Sequence, residues 1–364
     1  MSLWIEGLGT ASPPHEATQE QAAAFAEALG PGDDEQRRQL RAIYRLARIR
    51  TRRSVLQESP GAGGVTGQTF YPPARDAEDR GPSTSTRMQR YEIEAPRMAL
   101  GAARAALADA GRAPAGITHL VTVSCTGFVA PGFDVQLMRQ LDLPASTART
   151  HLGFMGCHGA FHALRVAKAF TDSSPDACVL VCAVELCSLH FQYGWTPDLV
   201  VANALFADGA GAVVAGGTAR GGREGWELTA SASALLEDST DAMTWRIGDH
   251  GFQMTLSPRV PGLIERSLRP WLDPWLAGQG LGVEDVASWA VHPGGPRILE
   301  SCAQVTGRTR ADFAVSHEVL AEFGNMSSPT ILFILDRLRR RAAPRPCLAI
   351  GFGPGLSAEA ALFR

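Results

Sequence analysis

Apolar residues recur every three to four positions along ATQEQAAAFAEALG, residues 17–30, and Thr18 stands three residues before Gln21. A hydroxyl there accepts from the third backbone amide while the glutamine side chain reaches back, so the spacing predicts a capped helix ending at Gly30. The same period predicts an arginine-rich helix over 34–49 and another through YEIEAPRMALGAARAALADAG, residues 91–111. Between them, residues 58–87 are dense in Gly, Pro and Ser. Because helical periodicity resumes at Met88, this stretch is expected to be an ordered surface loop rather than a linker. Further on the period changes. ITHLVTVSC (117–125), ACVLVCAVEL (177–186) and LFADGAGAVVAG (205–216) are nearly continuous apolar runs, and helical stretches such as VQLMRQL separate them. Continuous rather than alternating runs predict strands buried on both faces, with helices covering the sheet on either side.

The pattern also repeats. ADAGRAPAGITHLVTV (108–123) is echoed in spacing by AGQGLGVEDVASWAVH (277–292): a helix end, a glycine, a short connector and an apolar strand. At 364 residues the chain is longer than one core usually serves. Two pseudo-equivalent α/β halves, 1–220 and 221–364, are therefore expected, with a site of distant residues at their interface. Composition narrows the function. A net charge of −3 leaves no basic footprint for nucleic acid. No apolar run approaches the roughly 18 residues of a membrane span, and MSLWIEGLGTASPP lacks the basic start and apolar core of a signal peptide. A cytoplasmic protein is expected. Its seven cysteines, an odd number in so long a chain, are expected to be free thiols.

Four short stretches couple reactive side chains to glycines that let backbone approach closely: GFMGCHGAF around Cys157, HPGGPRIL from His292, FGNMSSP around Asn325, and GFGPGL from Gly351. A cysteine at a glycine-framed helix start faces unpaired N–H groups, which favour thiolate. His292 closes an apolar strand, where α/β folds meet their ligands. Asn325 lies in a turn before the apolar helix TILFIL. Taken singly, each has a plain structural reading: an inert buried thiol, a satisfied histidine, a helix cap. The order Cys, His, Asn, with 135 residues between 157 and 292, also fits a papain-like hydrolase, but that family's Cys-Gly-Ser/Ala-Cys-aromatic run is absent. Cys178, Cys182 and Cys187 sit in an apolar strand and are expected to be structural rather than metal-binding. His158 is expected to point away from its neighbour.

Together the four stretches resemble the chalcone and stilbene synthase family, the type III polyketide synthases of the thiolase-like group, from about Gln89 to the end. The resemblance implies a duplicated αβαβα layered fold and a homodimer. It implies an acyltransferase that loads an acyl-CoA starter on Cys157 and extends it with malonyl-CoA by decarboxylative condensation, with CoA thioesters as substrates and no metal or redox cofactor. His292 would hold the thiolate and hydrogen-bond the thioester oxygen, Asn325 would donate a second bond to that oxygen, and Phe206 matches the gatekeeper. Cys125, His190, Trp245 and Met254 stand where plant chalcone-forming members carry Thr, Thr, Gly and Phe. With Ser327 of the asparagine turn they are expected to shape the substrate pocket. Trp245 would narrow it, favouring an aliphatic starter and pyrone closure; a malonyl-only route to a resorcinol or phloroglucinol-type product is the alternative. Arg38, Arg41, Arg45 and Arg48 form a basic helical stripe that reads equally as a solvated face or a CoA phosphate grip. Arg45, Arg48 and Gly294 are carried over as CoA contacts. A ketoacyl-carrier-protein synthase of similar fold is the nearest rival.

Overall fold

The computed structural model describes residues 3–30, 32–59, 67–219 and 225–364; the loop expected over 58–87 therefore lies partly outside the described residues. The first half runs β1 (Leu3–Ala11), β2 (Glu16–Thr18), α1 (Gln19–Leu29), α2 (Asp34–Leu46), β3 (Thr51–Arg53), α3 (Thr84–Ala110), β4 (His119–Ser124), α4 (Phe133–Gln140), β5 (Ala148–Gly153), α5 (Gly159–Ser173), β6 (Cys178–Leu186), α6 (Pro197–Leu205) and β7 (Asp208–Gly216). The second runs β8 (Trp226–Leu235), β9 (Met243–Gly248), β10 (Gly251–Leu256), α7 (Val260–Gly278), β11 (Ser288–Val291), α8 (Pro296–Thr306), α9 (Ala314–Phe323), α10 (Pro329–Arg340), β12 (Cys347–Gly353) and β13 (Ser357–Phe363).

Nine strands form one sheet in the order β11–β12–β13–β8–β1–β7–β6–β4–β5. The order β1–β7–β6–β4 is repeated as β8–β13–β12–β11, and the two runs meet where β1 pairs antiparallel with β8. The echoing stretches occupy corresponding places: each leaves a helix, passes through a short 3-10 turn and enters β4 or β11. Helices α5 and α10 share one core with residues from both runs of strands. Helices α3 and α4 cover the outer face of the first run, and α7 and α8 that of the second. This is the duplicated αβαβα layering expected. In α10, Ile331, Leu332, Ile334 and Leu335 are at most 3% exposed, each contributing roughly 2 kcal/mol by burial.

Local chemistry explains most boundaries. Thr18 and Gln21 form the expected capping box. Helix α2 stops at Leu46, not at 49, because the chain turns through a left-handed Arg48 at φ 55°. Helix α3 starts at Thr84, ahead of Met88, because the Ser83 hydroxyl caps Thr86 N–H. Its alanines 95, 99, 102, 103 and 106 are fully buried. They let β1 come so close that a Cβ on Gly9 would lie 2.3 Å from Ala106 N. Strands β1 and β5 had no clear apolar signature: β1 carries Glu6, held by Arg112, and β5 is a largely exposed edge strand.

Candidate active site

Strand β5 ends at Gly153, and the chain then turns sharply through Phe154 (φ 58°) and Gly156 (φ 69°) into a 3-10 turn, Gly156–His158, that leads into α5. A Cβ on Gly156 would stand 2.5 Å from Pro354 Cδ. Glycine is therefore required both for the left-handed backbone and for the GFGPGL segment to close over the corner. Cys157, 5% exposed, sits at the apex. His158 turns the other way, with Nε2 2.6 Å from Ser357 Oγ, and burial drives its pKa down to about 3.

His292 follows β11, its amide bonded to Ile350 O at 2.8 Å. The side chain is buried, and among the described residues neither ring nitrogen has a hydrogen-bond partner. Burial alone lowers its pKa to about 3. Asn325 is stitched to the end of α6: its N–H donates to Leu205 O and its carbonyl accepts from Ala207 N–H, both at 2.9 Å, forming a parallel bridge to Phe206. Its Oδ1 accepts from Ser327 N–H at 2.8 Å, and its Nδ2 donates to Gly294 O at 3.4 Å. Ser327 is held left-handed at φ 54°, a conformation costing about 1 kcal/mol for a residue with a side chain. Its hydroxyl lies 3.6 Å from Cys125 Sγ. The side chains of Ser327 and Asn325 both act on the Cys157 thiol, each favouring its ionised form.

Thiolate was expected at this corner, and here the structure corrects the sequence. Burial pushes the Cys157 thiol up to about 11; the Ser327 bond opposes this, the Glu185 charge adds to it, and the Asn325 bond opposes it more weakly. The helix start cannot prevail because the cysteine lies in the preceding 3-10 turn and is withdrawn from water.

A cavity of about 710 Å³ opens onto Cys157, Cys125, Phe206 and Ser327 at one end, with His190, Trp245 and Met254 along its wall. Trp245 and Met254 are paired across the β9–β10 hairpin. Trp245 Nε1 donates to Cys125 O at 2.7 Å, and its ring meets His190 and Phe252 edge-on at 5.4 and 5.7 Å. His190 is fully engaged: Nε2 donates to Thr126 O at 2.7 Å, Nδ1 accepts from Phe252 N–H at 2.9 Å, and the ring stacks on Phe252 at 4.2 Å. Burial takes its pKa down to about 3, so the ring is neutral, its one N–H committed to Thr126 O, and it shapes the wall. His292 and Asn325 are buried and are not among the lining residues. Arg45, Arg48 and Gly294 are also off the cavity surface; Arg45 is exposed, and Arg48 pairs with Glu300 at 2.9 Å. Three residues escaped the sequence reading. Cys187, taken as structural, lines the cavity. Arg52 lines it beside Phe206. Glu185, buried, accepts from Cys125 N–H, Thr126 Oγ1 and Ser328 Oγ at 3.0, 2.7 and 3.0 Å, and burial raises its pKa to about 7. A lone carboxylate in the apolar run ACVLVCAVEL was the available signal. Among the described residues no group of three His, Cys, Asp or Glu could hold a metal ion. No helix among them is long and apolar enough to cross a membrane.

Comparison with known proteins places this geometry. Residues 4–219 match the N-terminal domain of chalcone and stilbene synthases, and residues 227–364 match the C-terminal domain. The chain belongs to the chalcone and stilbene synthase family. It is 33% identical over 371 aligned residues to the alpha-pyrone synthesis polyketide synthase-like Pks18 of Mycobacterium tuberculosis, covering 99% of this chain and 90% of the relative. It is 36% identical over 297 residues to a bisdemethoxycurcumin synthase of Oryza sativa, covering 77% and 74%. The crystal structure of PKS-I from the brown alga Ectocarpus siliculosus superposes with a TM-score of 0.92 at 32% identity, over 100% of this chain and 98% of the other. The type III polyketide synthase domain of Steely1 from Dictyostelium follows, with a TM-score of 0.90 at 25% identity, over 100% and 99%. This membership makes the chain a type III polyketide synthase, an acyltransferase that condenses acyl units.

Proposed function

We propose that Cys157 attacks an acyl-CoA starter, that His292 accepts the thiol proton and passes it to the leaving CoA sulfur, and that the acyl group rests on Cys157 as a thioester. Malonyl-CoA then loses CO₂, leaving charge on the enolate oxygen. His292 and Asn325 hydrogen-bond that oxygen, each fixed donor worth on the order of 3 kcal/mol where charge develops. The carbanion attacks the Cys157 thioester, expels the thiolate and lengthens the chain by two carbons. The cycle balances without a metal or redox group. The observations that carry this reading are the influence of the Asn325 and Ser327 side chains on the Cys157 thiol and, at the end of β11, a buried imidazole with both nitrogens unpartnered among the described residues. An unpartnered buried polar group costs about 1–3 kcal/mol, which suits a residue whose partner is the substrate. Phe206 presents an aromatic face at the cavity, where a malonyl carboxylate would be poorly solvated.

The pocket reading follows the pinned wall. Trp245 is fixed by the Cys125 carbonyl and by His190, where its ring would narrow the cavity, while Phe25, Leu56 and Leu199 offer apolar lining. We therefore favour an aliphatic acyl-CoA starter and closure to a pyrone. Arg45 and Arg48 would meet the CoA phosphates, Arg48 exchanging its ion pair with Glu300 for a phosphate oxygen. The working form is a cytoplasmic homodimer of paired halves 1–220 and 221–364. Exposed Phe128, Phe154, Met155 and Ile247 lie around the ends of β4 and β5 and the adjoining hairpin, and a second copy would cover them. The test is incubation of the purified enzyme with radiolabelled malonyl-CoA and acyl-CoAs from acetyl to stearoyl, with products identified by mass and the oligomer by light scattering. Free acid released without any need for malonyl-CoA would overturn the synthase mechanism in favour of a hydrolase. Inactivity with free malonyl-CoA would point to the carrier-protein-dependent rival.

A further inference from the structure

Arg52, on the three-residue strand β3, is 9% exposed and lines the cavity, yet among the described residues no carboxylate receives its hydrogen bonds. Its five N–H donors are all committed. Nε and Nη2 donate to Gln19 Oε1 at 3.1 and 2.6 Å, Nη1 to the carbonyls of Asn203 and Phe206 at 2.7 and 3.1 Å, and Nη2 also to Ala204 O at 2.6 Å. A guanidinium with no donor left cannot take up a substrate anion. What it holds instead is the end of α6, whose last carbonyls have no partner within the helix and carry its negative pole. Gln19 doubles the brace, its Nε2 donating to Ala204 O and Tyr44 O, and the Tyr44 ring lies 5.4 Å from the guanidinium.

The braced segment is the one that carries Phe206, and Phe206 is bridged through the backbone to Asn325. We propose that Arg52 is a positioning residue for the extension step, setting where Phe206 and, through the peptide bridge, Asn325 stand relative to Cys157. The proposal rests on the roles given above to those residues. Loading depends on the Cys157 corner, which β5, α5 and Pro354 hold independently of Arg52. Decarboxylation depends on the aromatic face and the carboxamide together. Releasing the end of α6 therefore acts on one step and spares the other.

The experiment compares wild type with Arg52→Gln and Arg52→Lys. Acylation of Cys157 is read by intact mass, and CO₂ release from carboxyl-labelled malonyl-CoA gives kcat and KM. Displacing catalytic groups by about 1 Å costs about 100-fold. Arg52→Gln is expected to keep loading within about 3-fold while kcat for CO₂ release falls about 10- to 100-fold at nearly constant KM, and Arg52→Lys to recover most of the loss by keeping the cation. Unchanged CO₂ release, or an equal fall in both steps in a folded variant, overturns the proposal. Should Arg52→Gln fail to fold, Gln19→Leu removes two guanidinium bonds and leaves the charge; the same split at about 10-fold supports the brace, and equal loss of both steps refutes it. If wild type itself neither loads nor decarboxylates, the mechanism proposed above fails, whatever Arg52 does.

Discussion

Strand β4 runs out at Ser124 and hands the chain to Cys125, while its counterpart β11 runs out at Val291 and hands it to His292. Central helix α5 begins just after Cys157, and α10 begins just after the turn at Asn325. The same scaffold position thus holds a wall residue in one half and, on the mechanism proposed, a proton carrier in the other. The halves also differ in what was added. The first half inserts α1, α2, β2, β3 and α6 and supplies most of the cavity wall; the second supplies the β9–β10 hairpin, Ser327 and Pro354. Duplication brought two strand ends and two helix starts to one place. On the mechanism proposed, the labour is divided, with enclosure and nucleophile on one side, and imidazole and carboxamide on the other.

The strongest way to break this division is to remove one member from each half. Cys157→Ala should abolish acyl loading and condensation in the intact-mass and product assays. Asn325→Ala should load normally and lose decarboxylation by about 100- to 1,000-fold; if it lost loading to the same degree, the two halves would not act on separate steps. The hairpin's share is sharpened by Trp245→Ala, which removes the ring held by Cys125 O, His190 and Phe252. The variant should accept bulkier aromatic starters in competition assays, at a stability cost of about 2 kcal/mol seen as a lower Tm.

A subtler test concerns Glu185, which ties Cys125 of the first half to Ser328 of the second. Its pKa rises from 4.5 to about 7 on folding. The stabilisation linked to its proton is therefore complete below pH 4.5 and is lost as pH rises through about 7. Glu185→Gln should lose less Tm than wild type between pH 5 and 8. Because the Glu185 charge raises the Cys157 thiol, alkylation of Cys157 should also shift to lower pH in the variant. The smallest effect is expected from Arg45→Ala and Arg48→Ala, both at exposed positions: a rise in KM for CoA thioesters of about 2- to 5-fold at constant kcat.

What could be read in advance was what local chemistry decides. The apolar runs of β4, β6 and β7, the capping box of α1, the strand end at His292 and the glycine frame of Cys157 depend on near neighbours in the chain. The features that escaped depend on distant ones. Arg52 acquires meaning only through carbonyls 151 and 154 residues away, and Glu185 partly through a hydroxyl 143 residues away. Strand β5 is polar because it borders the sheet, which no periodicity announces. The thiol pKa failed for a related reason: a helix start was visible, but the depth of burial over it was not.

The closeness of Pro354 to Gly156 has a bearing on biosynthesis. The thiol leaves the ribosome nearly two hundred residues before the proline that roofs its corner. Until that segment arrives, the corner that holds the sulfur stands unroofed. On the mechanism proposed, loading is thereby tied to arrival of the Pro354 segment, and a polypeptide cut short of it would lack the closed corner.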